Sequence, residues 1–295
     1  MKMDLLILPF DHRGSMLKKL FGTTAPSEEQ REEYKRLKKM IYAGFKKAVA
    51  EGVGKSEAAL LVDEEFGSEI LQDAKTKGYQ TCMPVEKSGQ EEFEFEHADF
   101  DKHIEEFKPT YAKVLVRFNP ENAEMNKRQI AKLKNLDDYC KRAKQKYIFE
   151  LLVPATETQL KACESKEDYD LNLRPKLMVQ AMAELQTAGI NPDVWKLEGV
   201  DKTGDALAIV ARAQAGGRNA GIITLGRGES IDKVREWLKV GAKISGIIGF
   251  AVGRTIFWEA MEGMHAGKLT EAEAIALVAR NYLAFAELWR KERNG

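Results

Sequence analysis

Cysteine and histidine are scarce in this chain, with three cysteines and four histidines among 295 residues. The cysteines are odd in number and lack C-x-x-C spacing, which argues against a disulfide framework or a zinc finger. His97, His103 and His265 also lack the spacing of metal ligands, so the sequence predicts no metal site. A reducing compartment, the cytoplasm, is the expected setting.

Neither sign of charge is in excess, because 46 Lys and Arg balance 46 Asp and Glu. A nucleic-acid-binding protein normally carries a basic surplus, so we expect no nucleic-acid partner. No apolar run reaches the length of a membrane span, and Met1–Asp4 lacks the layout of a signal peptide. We expect a cytoplasmic protein that acts on a small molecule; the sequence leaves its oligomeric state open, including a homo-oligomer.

The chain also lacks an internal linker rich in Gly, Ser or Pro, which favours a single domain over residues 1–295. Apolar, β-rich segments alternate with longer amphipathic ones. The predicted strands are Leu5–Phe10, Ala59–Val62, Tyr79–Met83, Tyr111–Arg117, Tyr147–Leu152, Val194–Glu198, Gly221–Thr224 and Ile244–Phe250. Eight strand–helix units predict an α/β fold of the (β/α)8 TIM-barrel type.

The alternative fold is a doubly wound open sheet, which usually has fewer strands. It would favour a G-x-G-x-x-G turn after the first strand, and this turn is missing. The segment Thr270–Arg293 reads as one further amphipathic helix, opened by a Thr270–Glu273 capping box. We expect this extra C-terminal helix to pack outside the barrel.

Polar side chains interrupt the predicted strands near their carboxyl ends, where barrel enzymes carry their reacting groups. Lys196 lies in an apolar strand, and a buried lysine is costly unless its charge is paired or its pKa is lowered. Enzymes use such a lysine as a neutral amine that attacks a carbonyl. Lys113 has a similar place in the fourth strand and Glu150 in the fifth. Asp11 also lies at such an end, and we expect Arg13, Arg117 and Glu198 to bind the substrate there.

Glycine and arginine mark the ends of the seventh and eighth strands, in Gly226-Arg227-Gly228 and Gly253-Arg254. Glycine lets the backbone approach an anion closely, and the start of a helix offers free N–H donors. Arginine adds a bidentate grip on phosphate. Because barrels often bind phosphate between these two loops, the sequence predicts a phosphorylated substrate.

Each of these residues also has an ordinary structural interpretation. Lys113 taken alone is more often a rim residue, and Asp11 would serve equally as a helix cap. The acidic and aromatic stretch 91–100 is either a lid or, as we expect, a β-extension. The residues leave three functions open: a Schiff-base aldolase, a phosphosugar isomerase or epimerase with Glu150 as base, and a non-catalytic phosphosugar-binding barrel.

With these motifs in place, the chain resembles the class I aldolases of the tagatose 1,6-bisphosphate and sulfofructose 1-phosphate type. The family's first-strand Asp-Gln-Arg turn corresponds to Asp11-His12-Arg13, and its fourth-strand lysine to Lys113. Its strand glutamate corresponds to Glu150, in Glu-Leu-Leu. Its Schiff-base lysine corresponds to Lys196 in Lys196-Leu197-Glu198, and its phosphate-binding Gly-Arg to Gly253-Arg254.

The opening Leu-Pro-Phe-Asp-His-Arg-Gly and the late Gly-Phe-Ala-Val-Gly-Arg-Thr-Ile-Phe look like one subfamily in particular. It is the domain fused behind 5-dehydro-2-deoxygluconokinase in many bacteria, which acts in inositol catabolism. The resemblance implies a lyase that cleaves 2-deoxy-5-keto-gluconate 6-phosphate to dihydroxyacetone phosphate and malonate semialdehyde, without a metal or other cofactor.

The resemblance further implies Lys196 as the Schiff-base residue and Glu150 as the acid/base, assisted by Lys113 and Asp11. Arg117 departs from the tagatose-type pattern, in which we expect an aromatic residue. An arginine there would hold a carboxylate, which favours a sugar acid over a bisphosphate. A tagatose- or sulfofructose-type ketose phosphate stays the alternative substrate.

Overall fold

Eight parallel strands pair in chain order in a computed structural model that describes residues 3–295, and β1 is bonded to both β2 and β8. The strands are β1 Leu5–Pro9, β2 Ala58–Leu61, β3 Gln80–Pro84, β4 Tyr111–Arg117, β5 Lys146–Leu152, β6 Val194–Glu198, β7 Gly221–Leu225 and β8 Ile247–Ala251. The ring is closed, and the predicted TIM barrel is confirmed. Met1 and Lys2, part of the terminus considered above, lie outside the described residues.

Helices cover the outside of the barrel. They are α1 Gly14–Phe21, α2 Glu28–Glu51, α3 Glu64–Thr76, α4 Phe100–Phe107, α5 Ala123–Ala143, α6 Glu157–Ala162, α7 Lys166–Asp168, α8 Arg174–Thr187, α9 Thr203–Gln214, α10 Ile231–Ala242, α11 Arg254–His265 and α12 Glu271–Asn294. A π-helical segment, Tyr169–Leu173, joins α7 to α8, and a 3-10 turn, Ala215–Gly217, follows α9. Among residues 3–295, none of these helices is long and apolar enough to cross a membrane.

Some element boundaries differ from the sequence prediction. The helix after β2 begins at Glu64, because the Asp63 side chain accepts a hydrogen bond from the Phe66 N–H at 2.9 Å and caps it. The last strand begins at Ile247 rather than Ile244, because the preceding residues form a turn in which Ile247 N donates to Ile244 O. Helix α1 and the helices α6 and α7 were not anticipated.

The interior of the barrel has an apolar layer beneath a polar one. Inward-facing residues of the apolar layer are buried and pack together; they are Leu5, Ile7, Ala59, Leu61, Cys82, Ile148, Val194, Ile223, Ile248 and Ala251. Two residues beyond Tyr111, Ile148 and Val194, nearer the carboxyl ends, the inward positions hold Lys113, Glu150 and Lys196. Strand alternation therefore places these three charges on top of the apolar core.

The C-terminal helix α12 packs outside the barrel, as predicted. Its Thr270 capping box is formed, and the Tyr282 hydroxyl donates to Leu6 O of β1 at 2.6 Å. A Cβ on Gly44 of α2 would lie 2.6 Å from the Cβ of Val278, so glycine allows the two helices their close approach. Helix α12 thereby holds the first and last parts of the barrel together.

Candidate active site

Four strands bring Asp11, Lys113, Glu150 and Lys196 together at the carboxyl end of the barrel. Glu150 and Lys196 are register partners on β5 and β6, and Lys196 Nζ donates to Glu150 Oε2 at 2.8 Å. Lys113 Nζ lies 2.9 Å from the same oxygen and 3.0 Å from Asp11 Oδ2. Both lysines are buried, at 2% exposure for Lys113 and 5% for Lys196. These four residues form a buried charge cluster, and burial of its charges would be costly without the ion pairs among them.

Glu86 is a fifth member of this cluster, and sequence analysis did not identify it. It lies two residues beyond β3, and its Oε1 accepts a hydrogen bond from Lys113 Nζ at 2.6 Å. Burial raises the pKa of Glu86 and outweighs the opposing effects of Lys113 and Arg13. The second oxygen, Oε2, is buried and has no hydrogen-bond partner in the described residues. Glu86 therefore brings an unpaired, buried acceptor to the wall of the cavity described below.

The two lysines of the cluster have different electrostatic surroundings. Burial would lower the pKa of Lys113, but Asp11, Glu150 and Glu86 outweigh it and hold that pKa well above the usual value. Lys113 is thus a permanent cation. Lys196 has a single carboxylate neighbour, Glu150, among the ion pairs of residues 3–295. Lys196 is the lysine whose charge is less compensated, which suits a nucleophilic amine better.

The two lysines also shift the pKa values of the Glu150 and Asp11 carboxyl groups. Burial acts to raise the pKa of Glu150, yet Lys113 and Lys196 outweigh burial and leave that pKa below its ordinary value. Burial likewise opposes ionisation of Asp11, and Lys113 and Lys196 again lower its pKa well below the usual range. Both carboxylates are therefore ionised at neutral pH.

A cavity of about 240 Å3 opens above the cluster. Residues from seven strand ends line it; those of the predicted site are Asp11, Arg13, Lys113, Arg117, Glu150, Lys196, Gly226, Arg227, Gly228, Gly253 and Arg254. Glu86 and the following segment 87–90 complete one wall. The predicted residues that react with the substrate and those that bind phosphate therefore face the same space.

The two Gly-Arg turns meet at one side of this cavity. Arg227 and Gly228 adopt positive φ angles of 54° and 81°. Arg254, the first residue of α11, donates from Nη2 to Arg227 O at 3.0 Å. A Cβ on Gly253 would lie 2.3 Å from Pro9 O, so only glycine lets the start of α11 approach β1. The free N–H groups of this helix start and the Arg254 guanidinium form a concave cationic surface.

The two arginines of these turns have different partners. Arg227 Nη1 pairs with Asp170 Oδ1 at 2.8 Å and its Nε with Glu198 Oε1 at 3.0 Å. Arg254 has no carboxylate partner among the ion pairs of the described chain. Arg254 is therefore the freer cation for an anionic ligand, whereas Arg227 is held by internal ion pairs.

The remaining predicted binding residues also make internal contacts. Arg13 is buried; its Nη1 pairs with Glu96 Oε2 at 2.7 Å and its Nη2 donates to Glu86 O at 2.8 Å. Arg117 donates from Nη1 to Gln90 O at 2.6 Å and lines the cavity. The carboxylate of Glu198 faces Arg227 and lies outside the cavity lining. Arg13 thus anchors the wall that carries Glu86.

That wall contains the acidic and aromatic stretch 91–100. Residues Glu86 and Phe95 form an antiparallel β-bridge, and Glu96 N donates to Val85 O at 2.9 Å. The structure therefore shows the β-extension that we expected from this stretch. Its turn, residues 87–90, borders the cavity.

Three side chains that the sequence analysis left without a role converge beside this segment. His97 Nε2 and His103 Nδ1 each lie 2.8 Å from an oxygen of Glu64. A carboxylate from another segment of the chain thus brings the two imidazoles together, a proximity that the spacing in the sequence does not show. This second cluster is separate from the cavity lining.

The fold and the polar end of the barrel define a (β/α)8-barrel protein with one principal candidate site. Over residues 1–293 the chain matches the family described as "Uncharacterized protein conserved in bacteria (DUF2090)", and it belongs to that family. A search of curated proteins found no match.

Solved structures with a similar fold include three fructose-bisphosphate aldolases. That of Plasmodium falciparum has a TM-score of 0.68 and 14% identity, over 100% of this chain and 92% of that one. An archaeal fructose 1,6-bisphosphate aldolase has a TM-score of 0.57 and 12% identity, over 97% and 93%. A Schiff-base-forming fructose-1,6-bisphosphate aldolase has a TM-score of 0.56 and 12% identity, over 97% and 94%. At these identities the likeness establishes the fold.

Proposed function

We propose that this protein is a class I aldolase that cleaves a phosphorylated keto sugar acid through a Schiff base on Lys196. The observation that carries the proposal is the buried contact of 2.8 Å between Lys196 Nζ and Glu150 Oε2. It lies in a cavity at the carboxyl end of the barrel, where such enzymes carry their chemistry. Lys113, kept charged by three carboxylates, leaves Lys196 as the amine that can react.

The first half of the reaction forms the iminium. Lys196 passes one proton to Glu150, and its neutral amine adds to the substrate ketone. The protonated Glu150 then donates that proton to the hydroxyl group of the adduct, and loss of water leaves a carbon–nitrogen double bond that carries a positive charge. This charge is an electron sink beside the bond to be broken. No metal ion is required for this step, because the iminium itself withdraws the electrons.

The second half breaks the carbon–carbon bond. Glu150 accepts the proton of the hydroxyl group two carbons from the iminium carbon, and the hydroxyl oxygen forms the new carbonyl. The electron pair of the broken bond moves toward the iminium nitrogen and forms an enamine, while the aldehyde leaves. Protonation of the enamine and hydrolysis then release the ketose fragment and restore Lys196. Lys113 keeps Glu150 ionised before the proton transfer.

The substrate that we propose is 2-deoxy-5-keto-gluconate 6-phosphate, cleaved to dihydroxyacetone phosphate and malonate semialdehyde. Its phosphate would bind between Gly228 and the start of α11, held by Arg254. Its carboxylate would pair with Arg117, which lines the same cavity. The resemblance of the first and last strand motifs to the inositol-catabolism aldolases supports this choice. A tagatose- or sulfofructose-type ketose phosphate is the second candidate, because it shares the phosphate and the ketone.

Borohydride trapping tests the proposal. The full-length protein incubated with dihydroxyacetone phosphate and borohydride should gain the mass of one reduced adduct, located on the peptide that contains Lys196. Lys196→Arg keeps the positive charge and should abolish both the adduct and cleavage. Lys38 is a matched control, because it is equally buried but pairs with Asp63 outside the cavity lining, and it should stay unlabelled.

Two outcomes would overturn the assignment. A label on Lys113 instead of Lys196 would exchange the roles of the two lysines. A protein that forms no adduct but exchanges substrate C–H protons with solvent, in a manner that depends on Glu150, would be an isomerase or epimerase.

A further inference from the structure

Glu64, His97 and His103 come from three separate parts of the chain and meet at one point. Glu64 opens α3 directly after β2, His97 belongs to the segment between β3 and α4, and His103 lies in α4. The Glu64 carboxylate contacts both imidazoles: Oε1 lies 2.8 Å from His97 Nε2, and Oε2 lies 2.8 Å from His103 Nδ1. One oxygen or nitrogen atom from each residue lies within 4.8 Å of the other two.

We propose that these three side chains form a binding site for a divalent transition-metal ion such as Zn2+, distinct from the aldolase cavity. Two imidazole nitrogens and one carboxylate oxygen are a donor set that zinc prefers. Water would occupy the fourth position, because the three side chains are partly exposed, at 16% for Glu64, 41% for His97 and 27% for His103. A hard ion such as Mg2+ prefers oxygen ligands and is excluded by the two imidazoles.

The other nitrogen of His103 supplies an independent indication. His103 Nε2 lies 3.7 Å from Asp99 Oδ1, so the ring faces Glu64 with Nδ1 and Asp99 with Nε2. A carboxylate behind the second nitrogen of a ligating histidine fixes the ring tautomer and orientation at many metal sites. The Asp99 side chain makes no cap at the N-terminus of α4; its Oδ2 pairs with Lys102 Nζ at 3.3 Å, and its Oδ1 is the oxygen that faces His103.

The positions of the three side chains are close to those that a metal ion needs. Bonds of about 2.0–2.1 Å around a tetrahedral ion set the ligand atoms roughly 3.3 Å apart. The two imidazoles are stacked, with ring centroids 3.9 Å apart and planes 6° apart. Binding of an ion by both rings would require His97 to rotate out of this stack, and its 41% exposure leaves room for that rotation.

An ion at this position would stabilise one wall of the aldolase cavity. Glu96, next to His97, pairs with Arg13, and Arg13 in turn donates to Glu86 O. Glu86 contacts Lys113 and borders the cavity. The ion would therefore hold the segment between β3 and α4 in place without taking part in carbon–carbon cleavage, and the Schiff-base chemistry should continue in its absence.

The test is metal titration of the full-length chain, purified without a histidine tag and freed of metal by chelation. Calorimetry with Zn2+ should give one site per chain, and Co2+ should give a visible absorption band typical of tetrahedral coordination. Mg2+ at the same concentration should give no heat. Thermal unfolding should shift to higher temperature with Zn2+.

Variants identify the ligands. His97→Gln and His103→Gln should each abolish the Co2+ band and the thermal shift, and Asp99→Asn should weaken Zn2+ binding by about 10-fold as a partner of a ligand. The matched control is His265→Gln, because His265 also pairs with a glutamate, Glu33, at 2.7 Å, but has no second histidine beside it. This control should bind like the wild type.

Three results would overturn the proposal: no zinc binding, binding that survives both His97→Gln and His103→Gln, or binding lost in a Cys163→Ser variant, which would place the ion on a thiol. Circular dichroism of each variant checks that it is folded. The metal-free protein should still form the borohydride adduct on Lys196, so failure of the metal site and failure of the aldolase proposal are separate results.

Discussion

Lys196 and Glu150 are register partners on adjacent strands, and their side chains meet at 2.8 Å inside the barrel. The same Glu150 oxygen lies 2.9 Å from Lys113. One carboxylate oxygen therefore pairs with both lysines of the cluster. A proton on Glu150 would change the charge next to both lysines, so the proposed acid/base step and the proposed nucleophile are electrostatically coupled.

The first prediction concerns Glu150. Glu150→Gln removes the proton acceptor but keeps the size of the side chain, so kcat for cleavage should fall by about 10^2–10^4. The adduct on Lys196 should still form with dihydroxyacetone phosphate and borohydride. Rapid-quench kinetics and mass spectrometry separate the two steps. Asp232→Asn, at a carboxylate that is 87% exposed, should change neither; a Glu150→Gln enzyme with wild-type kcat would remove Glu150 from the acid/base role.

The second prediction concerns the phosphate. Arg254→Ala removes the guanidinium that has no carboxylate partner at the start of α11, and should weaken substrate and inorganic phosphate together. The expected loss is about 1.5–3 kcal/mol for a hydrogen bond to a charged group. Calorimetric titration with phosphate measures it. Arg36→Ala, at an exposed arginine paired with Glu271, is the control. Unchanged phosphate affinity in Arg254→Ala would place the anion elsewhere.

The third prediction concerns substrate choice. Arg117 lines the cavity and should pair with the substrate carboxylate, so Arg117→Leu should reduce kcat/KM for 2-deoxy-5-keto-gluconate 6-phosphate by one to two powers of ten. This corresponds to about 1.4–2.7 kcal/mol of transition-state binding. Cleavage of tagatose 1,6-bisphosphate, which has no carboxylate, should change far less. Equal losses on both substrates would make Arg117 a structural residue that holds the segment at Gln90.

The fourth prediction concerns stability and pH. Burial lowers the pKa of His12 from 6.5 to about 4, against the attraction of Asp11 and with further lowering by Arg254. The unfolded chain therefore takes up a proton on His12 first, and the folded state loses stability as pH falls from about 6.5 toward 4. The slope that one such proton contributes reaches about 1.4 kcal/mol per pH unit.

Urea unfolding of wild type and His12→Asn at several pH values measures this contribution. The difference in unfolding free energy between the two proteins should stay constant between pH 8 and 7, where the imidazole is mostly neutral in both states. Below pH 6.5 the wild type should lose stability faster than His12→Asn. Parallel curves down to pH 4 would show that His12 does not cause the acid sensitivity.

Much of the candidate site could be predicted because its residues break an apolar pattern. Lys113, Glu150 and Lys196 follow partly or fully buried, mainly apolar residues on the inward face of their strands, and burial of a charge is too costly to occur without a function or a partner. Glu86 gave no such signal, since it follows β3 in a stretch rich in charged residues that reads as a solvated loop. The Glu86 carboxylate reaches Lys113 only because the chain after β3 passes close to β4.

The predicted binding arginines show the same limit. Arg13, Arg227 and Arg254 look alike in sequence, each beside a glycine at a strand end. Arg13 forms an ion pair with Glu96, and Arg227 forms ion pairs with Asp170 and Glu198. These carboxylates lie far from the arginines along the chain. Whether an arginine is free to bind a ligand depends on these distant carboxylates.

The sequence by itself determined the barrel and its polar end, because strand and helix periods are local properties and a charge in an apolar strand is visible without a structure. Tertiary structure alone decided which charges meet. Strand register brought Glu150 to Lys196, and the folding of three separate segments brought Glu64 to His97 and His103. Electrostatic interactions depend on distances of a few ångström between side chains remote in sequence, and no local pattern encodes those distances.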